Sequence, residues 1–279
     1  MDWKNVTISN NFMFRLVMEK QELCKPLLER ILDIKIKRIA YIEPEKNLEA
    51  NLLAKGIRLD LYVEDEDGVA YDIEMQIDDR YKAYLGQRTR YYQSIMDNEA
   101  LKKGELYHKL RKSYIIFICM FDPFGLNLPK YTFSSHCEED LDLKLDDGAT
   151  RIFLNCYGDR HKTTKALANL LDYISNGAVS DEYTDMIDKE VAIFRGDKRK
   201  ERLFMTYQQF IMEEKLFARE EGREEGREEG REEGLAEGKL EQMKKTVLKM
   251  FKHNMPLKDI ADMNDISMEQ VREICRMAN

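Results

Sequence analysis

The sequence predicts an α/β chain in which a mixed central sheet flanked by helices is followed by a charged helical spacer and a small all-α unit. Three observations predict it. Two alternating segments, Ile57–Glu64 and Val69–Ile77, flank the turn-forming Asp65-Glu66-Asp67-Gly68, the pattern of a β-hairpin. An unbroken apolar run, SYIIFICMF at Ser113–Phe121, suits a central strand buried on both faces. Segments of helical spacing surround these, and past residue 196 the pattern is helical throughout.

The elements follow in order. Ser9 and Asn10 are capping residues, and Phe12, Phe14, Leu16 and Val17 follow with helical spacing, so Asn10–Lys20 reads as a helix. Gln21–Leu32 continues likewise through Leu23, Leu27, Leu28 and Ile31. Lys35–Ile42 alternates weakly and reads as a strand. After the hairpin, Asp79–Lys103 is polar, aromatic and free of Pro, and reads as a helix. Lys130–Ser134 and Arg151–Tyr157 read as strands, His161–Ser175 and Asp181–Phe194 as helices. Helical layers on a mixed sheet account for this order.

Composition narrows the class. The chain has 279 residues, 43% hydrophobic and 35% charged, enough for one good-sized core and an appendage. No apolar run approaches the roughly 20 residues that span a bilayer, and the first residues lack the pattern of a signal peptide. Five scattered cysteines form no CxxC pair and no zinc-binding cluster with the four histidines, so reduced thiols in a cytoplasmic protein are expected. Net charge is −8, unlike most nucleic-acid binders. Glu213–Lys245 alone carries −4, which leaves −4 for the rest. Any DNA contact must therefore rest on a local basic patch.

Three regions are expected: a sheet-bearing domain over 1–196, a charged helical linker over 197–242, and a small helical unit over 243–279. The linker contains REEG four times in tandem, Arg219–Gly234. A period of four drifts about 40° per repeat around a 3.6-residue helix, so its glycines make no fixed seam. Each glycine costs roughly 0.8–1.0 kcal/mol relative to Ala. A solvated, partly helical spacer is expected. Beyond it, Leu240–His253 is amphipathic, Pro256 opens a short helix, Asn264-Asp265 breaks it, and Ser267 with Gln270 forms a capping box for another. KDIADMNDISMEQVREI resembles a helix-turn-helix, with Ala261 at the close contact and Asp265 in the left-handed turn position. A DNA contact or a homodimer through this C-terminal region is expected from it.

The hairpin holds the chemistry. Asp72, Glu74 and Gln76 lie two apart and share one face, while Ile73, Met75 and Ile77 are expected to point into a core. Asp60 joins the acidic face only in one register. A two-residue turn would set it opposite Ile73; a three-residue Glu66-Asp67-Gly68 loop with Gly68 in a left-handed bulge sets it opposite Glu74. Asp-Gly there favours the second.

GIRLDLYVEDEDGVAYDIEMQ resembles the hairpin of PD-(D/E)xK nucleases, with Asp60 as first acid and Glu74-Met75-Gln76 in the ExK position. More closely, NNFMFRLVMEKQELCKPLLERIL, this hairpin, QRTRYYQSIMDNEALKKGELY and SYIIFICMFDPFG together resemble the Rpn family of recombination-promoting nucleases and related transposases. The resemblance implies a restriction-endonuclease-like core with Asp60, Glu74 and Gln76 catalytic. It also implies Mg²⁺ (Mn²⁺ substituting) held by Asp60, Glu74 and the Met75 carbonyl. Gln76 stands where many such nucleases have Lys, and Asn11 where the family motif has Asp. Gln87 and Tyr91 look like the QxxxY element of related nucleases, and Gln87, Arg88, Arg90 and Tyr91 are the expected substrate contacts. A metal-dependent DNA endonuclease of recombination, mobile elements or phage defence is the implied function. The alternative is a nuclease-fold protein that binds DNA without cutting it.

Overall fold

In the computed structural model, residues 2–48 and 57–276 are described. The chain forms two compact units, Met1–Phe204 and Met205–Asn279.

The first unit is a six-stranded mixed sheet between helical layers. Its helices α1 (Asn11–Met18) and α2 (Gln21–Leu32) precede the edge strand β1 (Ile39–Leu48) and the hairpin β2 (Ile57–Asp65) and β3 (Ala70–Gln76). Helix α3 (Leu85–Ala100) leads to β4 (Ser113–Cys119), β5 (Lys130–Phe133) and β6 (Ala149–Asn155). Helices α4 (Lys165–Asn176) and α5 (Glu182–Gly196) follow, then α6 (Lys198–Lys252), α7 (Leu257–Asn264) and α8 (Met268–Arg276). The sheet order is β1-β2-β3-β4-β6-β5. The apolar run is the interior strand expected of it: β4 lies parallel to β3 on one side and β6 on the other.

The strand alternation sorts side chains into two cores. Leu61, Val63, Ile73, Met75, Ile116, Ile118, Ile152 and Leu154 face the buried sides of α1, α2, α4 and α5. Phe117 and Phe153 pack with Leu85, Tyr92, Ile95 and Met96 of α3 on the other face. Full burial of one such side chain contributes about 1.5–3 kcal/mol, so β4 anchors both layers.

Several boundaries differ from expectation, each for a local reason. Strand β1 starts at Ile39 and runs through Pro44 to Leu48, where Lys35–Ile42 was expected. Pro is tolerated because β1 is an edge strand, and Glu45 takes a left-handed φ of 53° beside it. Ile77 lies beyond the end of β3 and is 51% exposed rather than in the core. Asp79–Tyr84 is a 3₁₀ turn, so α3 begins only at Leu85. The REEG run is helical throughout rather than in part, because α6 spans 55 residues. No proline occurs between Pro129 and Pro256, and the abundant Glu, Arg and Lys are good helix formers. The limit drawn at 242/243 falls inside this helix.

In the second unit, Val247, Ile260, Ala261, Val271, Ile274 and Cys275 form a small core. Asp265 ends α7 in the left-handed conformation, φ 52° and ψ 42°. Ser267 and Gln270 bond reciprocally, Ser267 N–H to Oε1 at 2.9 Å and Gln270 N–H to Oγ at 3.2 Å, the capping box read from the sequence.

Candidate active site

The hairpin turn decides the site. Gly68 has φ 77°, its N–H donates to the Asp65 carbonyl at 3.1 Å, and the Asp65 N–H donates to the Val69 carbonyl at 3.1 Å. That is the three-residue loop with a left-handed glycine. The pairing Glu64↔Ala70, Val63↔Tyr71, Tyr62↔Asp72, Leu61↔Ile73 then carries Asp60 across from Glu74. Two bonds lock the pair: Asp60 N–H donates to Glu74 Oε1 at 2.8 Å, and Met75 N–H to Asp60 Oδ2 at 3.2 Å.

Asp72 stands two residues before Glu74 on the same face and is fully buried. Neither of its oxygens meets an N–H or hydroxyl donor; the hydrogen bond open to it is a proton shared with the Glu74 carboxyl. Three carboxyls thus crowd one face of the hairpin, and their proton affinities respond. Burial, then Glu74 and Asp60, push Asp72 well above the ordinary carboxyl value. Burial and the Asp60 charge push Glu74 up to about 8, against Arg88. Burial also raises Asp60, against the Met75 N–H and the Arg15, Arg88 and Arg58 charges. Burial and like charge here outweigh the nearby arginines.

Arg88 is the hub of the site. Its Nη2 donates to Glu74 Oε2 at 2.7 Å and its Nη1 to Gln76 Oε1 at 2.7 Å. Its Nε and Nη2 also donate to the Tyr92 hydroxyl, at 3.0 and 2.8 Å. The guanidinium lies 5.0 Å from the Tyr92 and Phe117 ring centroids. Gln76 is held at both ends, since its Nε2 donates to the Asp78 carbonyl at 2.7 Å. One lone pair of Oε1 remains for any other partner.

Of the expected substrate contacts, Arg88 enters the acidic site. Gln87 and Tyr91 line the groove beside it. Arg90 does not join them: it borders a separate hollow with Phe124, Phe133 and Arg151. The structure brings Asn11, noted in the sequence only as a departure from the family motif, to the site and adds Arg15 and Arg58, which sequence reasoning missed. Asn11 Nδ2 donates to Asp60 Oδ2 at 3.3 Å. Arg15 is buried and closely paired with Glu45. Of the three arginines whose charge acts on Asp60, Arg88 was expected, and the other two also had a sequence signal. Arg58 is two residues before Asp60 on a strand, and Arg15 is four after Asn11 on a helix.

Whether these residues suit a divalent cation is decided by the donors. Among the described residues no three His, Cys, Asp or Glu side chains form a ready cage. The two oxygens of Glu74 are engaged by the Asp60 N–H and by Arg88. Mg²⁺, however, is commonly held by one or two carboxylates plus water. Asp60 and Glu74 supply those hard oxygens, and a cation would relieve the crowding that raises all three carboxyls. The residues fit.

A family model described as PD-(D/E)XK nuclease family transposase matches residues 9–171. No curated protein and no solved structure matches the chain. The matched stretch holds α1, α2, the whole sheet, α3 and most of α4, which is more than half of the sequence and every residue of the site. The chain therefore belongs to the PD-(D/E)XK nuclease family transposases.

Proposed function

We propose that the chain is an endonuclease that hydrolyses DNA phosphodiester bonds with a divalent cation, Mg²⁺ or Mn²⁺. The family is one of nucleases that generally use divalent metals. The observation that carries the reading is the Asp60–Asp72–Glu74 row, with Asp72 and Glu74 buried and Arg88 as the direct cationic partner of Glu74. Asp60, Glu74 and the Met75 carbonyl would hold the ion, which when bound supplies charge stabilisation at the scissile phosphate.

The chain's own residues divide the remaining work. Asp72 keeps the shared proton and so tunes the charge on Glu74. Arg88 would offer a planar two-donor fork to a phosphate oxygen if a bound cation took its place at Glu74. Gln76 keeps one Oε1 lone pair with which to orient the attacking water by hydrogen bonding. Tyr92 holds the guanidinium in place. Exposed Lys258, Arg272 and Arg276 on the C-terminal helices suit phosphate contacts by the helix-turn-helix.

Nicking of supercoiled DNA in Mg²⁺ or Mn²⁺, absent in EDTA and lost in Glu74→Ala, is the expected result. DNA binding without nicking in any divalent metal would instead favour the non-cutting alternative.

A further inference from the structure

Beside the acidic row runs an open groove of about 700 Å³, within the range of ligand sites. Its wall is unusual for a surface. Tyr81 and Tyr84 come from the 3₁₀ turn, Gln87, Arg88 and Tyr91 from α3, and Arg58 from β2. The 3₁₀ turn buries none of its residues, and Tyr81 and Tyr84 are 55% and 64% exposed. Neither ring belongs to a hydrophobic core. Among the described residues Tyr84 makes no hydrogen bond or ring contact, and the Gln87 amide makes no hydrogen bond. Arg58 meets Glu45 only at 3.8 Å. Single exposed rings are ordinary. Here two rings without a packing role stand with a free amide and two guanidiniums, one of which touches Glu74.

We propose that this groove receives an unpaired base of the DNA strand being cut, stacked on Tyr84 and Tyr81, with Gln87 at the base edge and Arg58 and Arg88 on the flanking phosphates. Aromatic rings stack on any base face, but in a duplex those faces are covered by neighbouring pairs, so a base must leave the stack to enter. The amide offers one donor side and one acceptor side to such an edge. The groove shares Arg88 with the acidic row, so a base seated there sets its own phosphate beside Asp60 and Glu74. The preferred substrate is DNA with single-stranded or unpaired nucleotides.

This rests on the nuclease reading for its DNA, but binding tests it without cleavage. The full chain is titrated in EDTA against three fluorescein-labelled probes and followed by anisotropy. They are a single-stranded oligodeoxynucleotide of about 16 nucleotides, its duplex, and that duplex with one unpaired nucleotide. The single strand and the interrupted duplex bind about tenfold or more tightly than the intact duplex. Tyr84→Ala weakens single-strand binding about 5- to 150-fold, leaves the intact duplex unchanged and does not alter thermal unfolding; Tyr84→Phe keeps the affinity. Equal binding of intact duplex and single strand, or a folded Tyr84→Ala protein with wild-type affinity, overturns the proposal. So does tighter binding of the same sequence as RNA. Selective binding without nicking in Mg²⁺ would sink the nuclease reading and leave the groove standing; nicking that ignores Tyr84→Ala would do the reverse.

Discussion

Arg88 donates to the Gln76 side chain across 2.7 Å, so the position that carries Lys in many such nucleases borrows its cation from helix α3. This makes a reciprocal prediction. Arg88→Ala lowers kcat about 10²–10³-fold, the scale for loss of one preorganised donor at a developing charge. Arg88→Lys recovers little, because an ammonium cannot fork to Glu74 and Gln76 together. Gln76→Lys alone sets two cations side by side and lowers activity, whereas Gln76→Lys in the Arg88→Ala background recovers part of it. Steady-state nicking rates of the four variants check this; a double variant no better than Arg88→Ala would refute the shared role.

The carboxyl row makes stability depend on pH and on metal. The Glu74 carboxyl is raised in the fold from 4.5 to about 8, so the folded state binds the proton more tightly than the unfolded chain. The associated stability is fully present below the ordinary value and is lost as pH rises through about 8. Mg²⁺ should therefore raise the unfolding temperature more at about pH 8 than at about pH 5. Asp72→Asn, which brings an N–H donor to Glu74, should stabilise the metal-free protein by about 1–2 kcal/mol. Thermal scans with and without the ion test both; a larger Mg²⁺ effect at the lower pH contradicts the first.

Asn11 gives a trade-off. Its amide donates to Asp60, and Asn11→Asp would replace that donor with another carboxylate. The expected outcome is a metal-free protein less stable by about 1 kcal/mol and a higher affinity for Mn²⁺, read by calorimetric titration. Unchanged Mn²⁺ affinity would place Asn11 outside the ion's field.

Away from the site, Asp181 caps α5 and accepts from Thr184 N–H at 2.9 Å, Arg30 Nη1 at 2.7 Å and Asn169 Nδ2 at 2.9 Å. Burial pushes its carboxyl up, but these hydrogen bonds outweigh it and hold the group far below the usual range. Its stabilisation is present above the ordinary carboxyl value and lost as pH falls through the depressed one. Asp181→Ala should cost about 2 kcal/mol near neutrality, and the deficit should shrink in strong acid. Urea titrations at the two pH values show it; a deficit that does not change with pH would mean that the carboxylate's charge is not what stabilises α5.

How much of this was legible in the sequence depends on whether the cause was local. The Asp60–Glu74 pairing was legible because strand period and turn chemistry are both short-range, and β4 because its apolar run has one good home. The course of β1 through Pro44 was not, since only the finished sheet makes β1 an edge. Asp72 was visible on the right face, yet nothing in the alternation shows that it ends up buried without a donor. Gln76 was legible as the residue in the Lys position; its capture by Asp78 and Arg88 depends on where the 3₁₀ turn sends the chain. Arg15 and Asn11 reach the site from another element altogether. The metal and catalytic roles came from resemblance, not from pattern.

The left-handed Gly68 has a consequence for how this sequence can change over time. Adding or removing one residue between Asp65 and Val69 would slide β3 by a step, turn its acidic face to the opposite side of the sheet and oppose Asp60 with an apolar neighbour. A loop that touches no substrate therefore tolerates substitution in its letters far better than any change in its length. The REEG helix, whose glycines meet nothing within 4 Å, is the opposite case, where whole repeats can be gained or dropped while the acidic row stays intact.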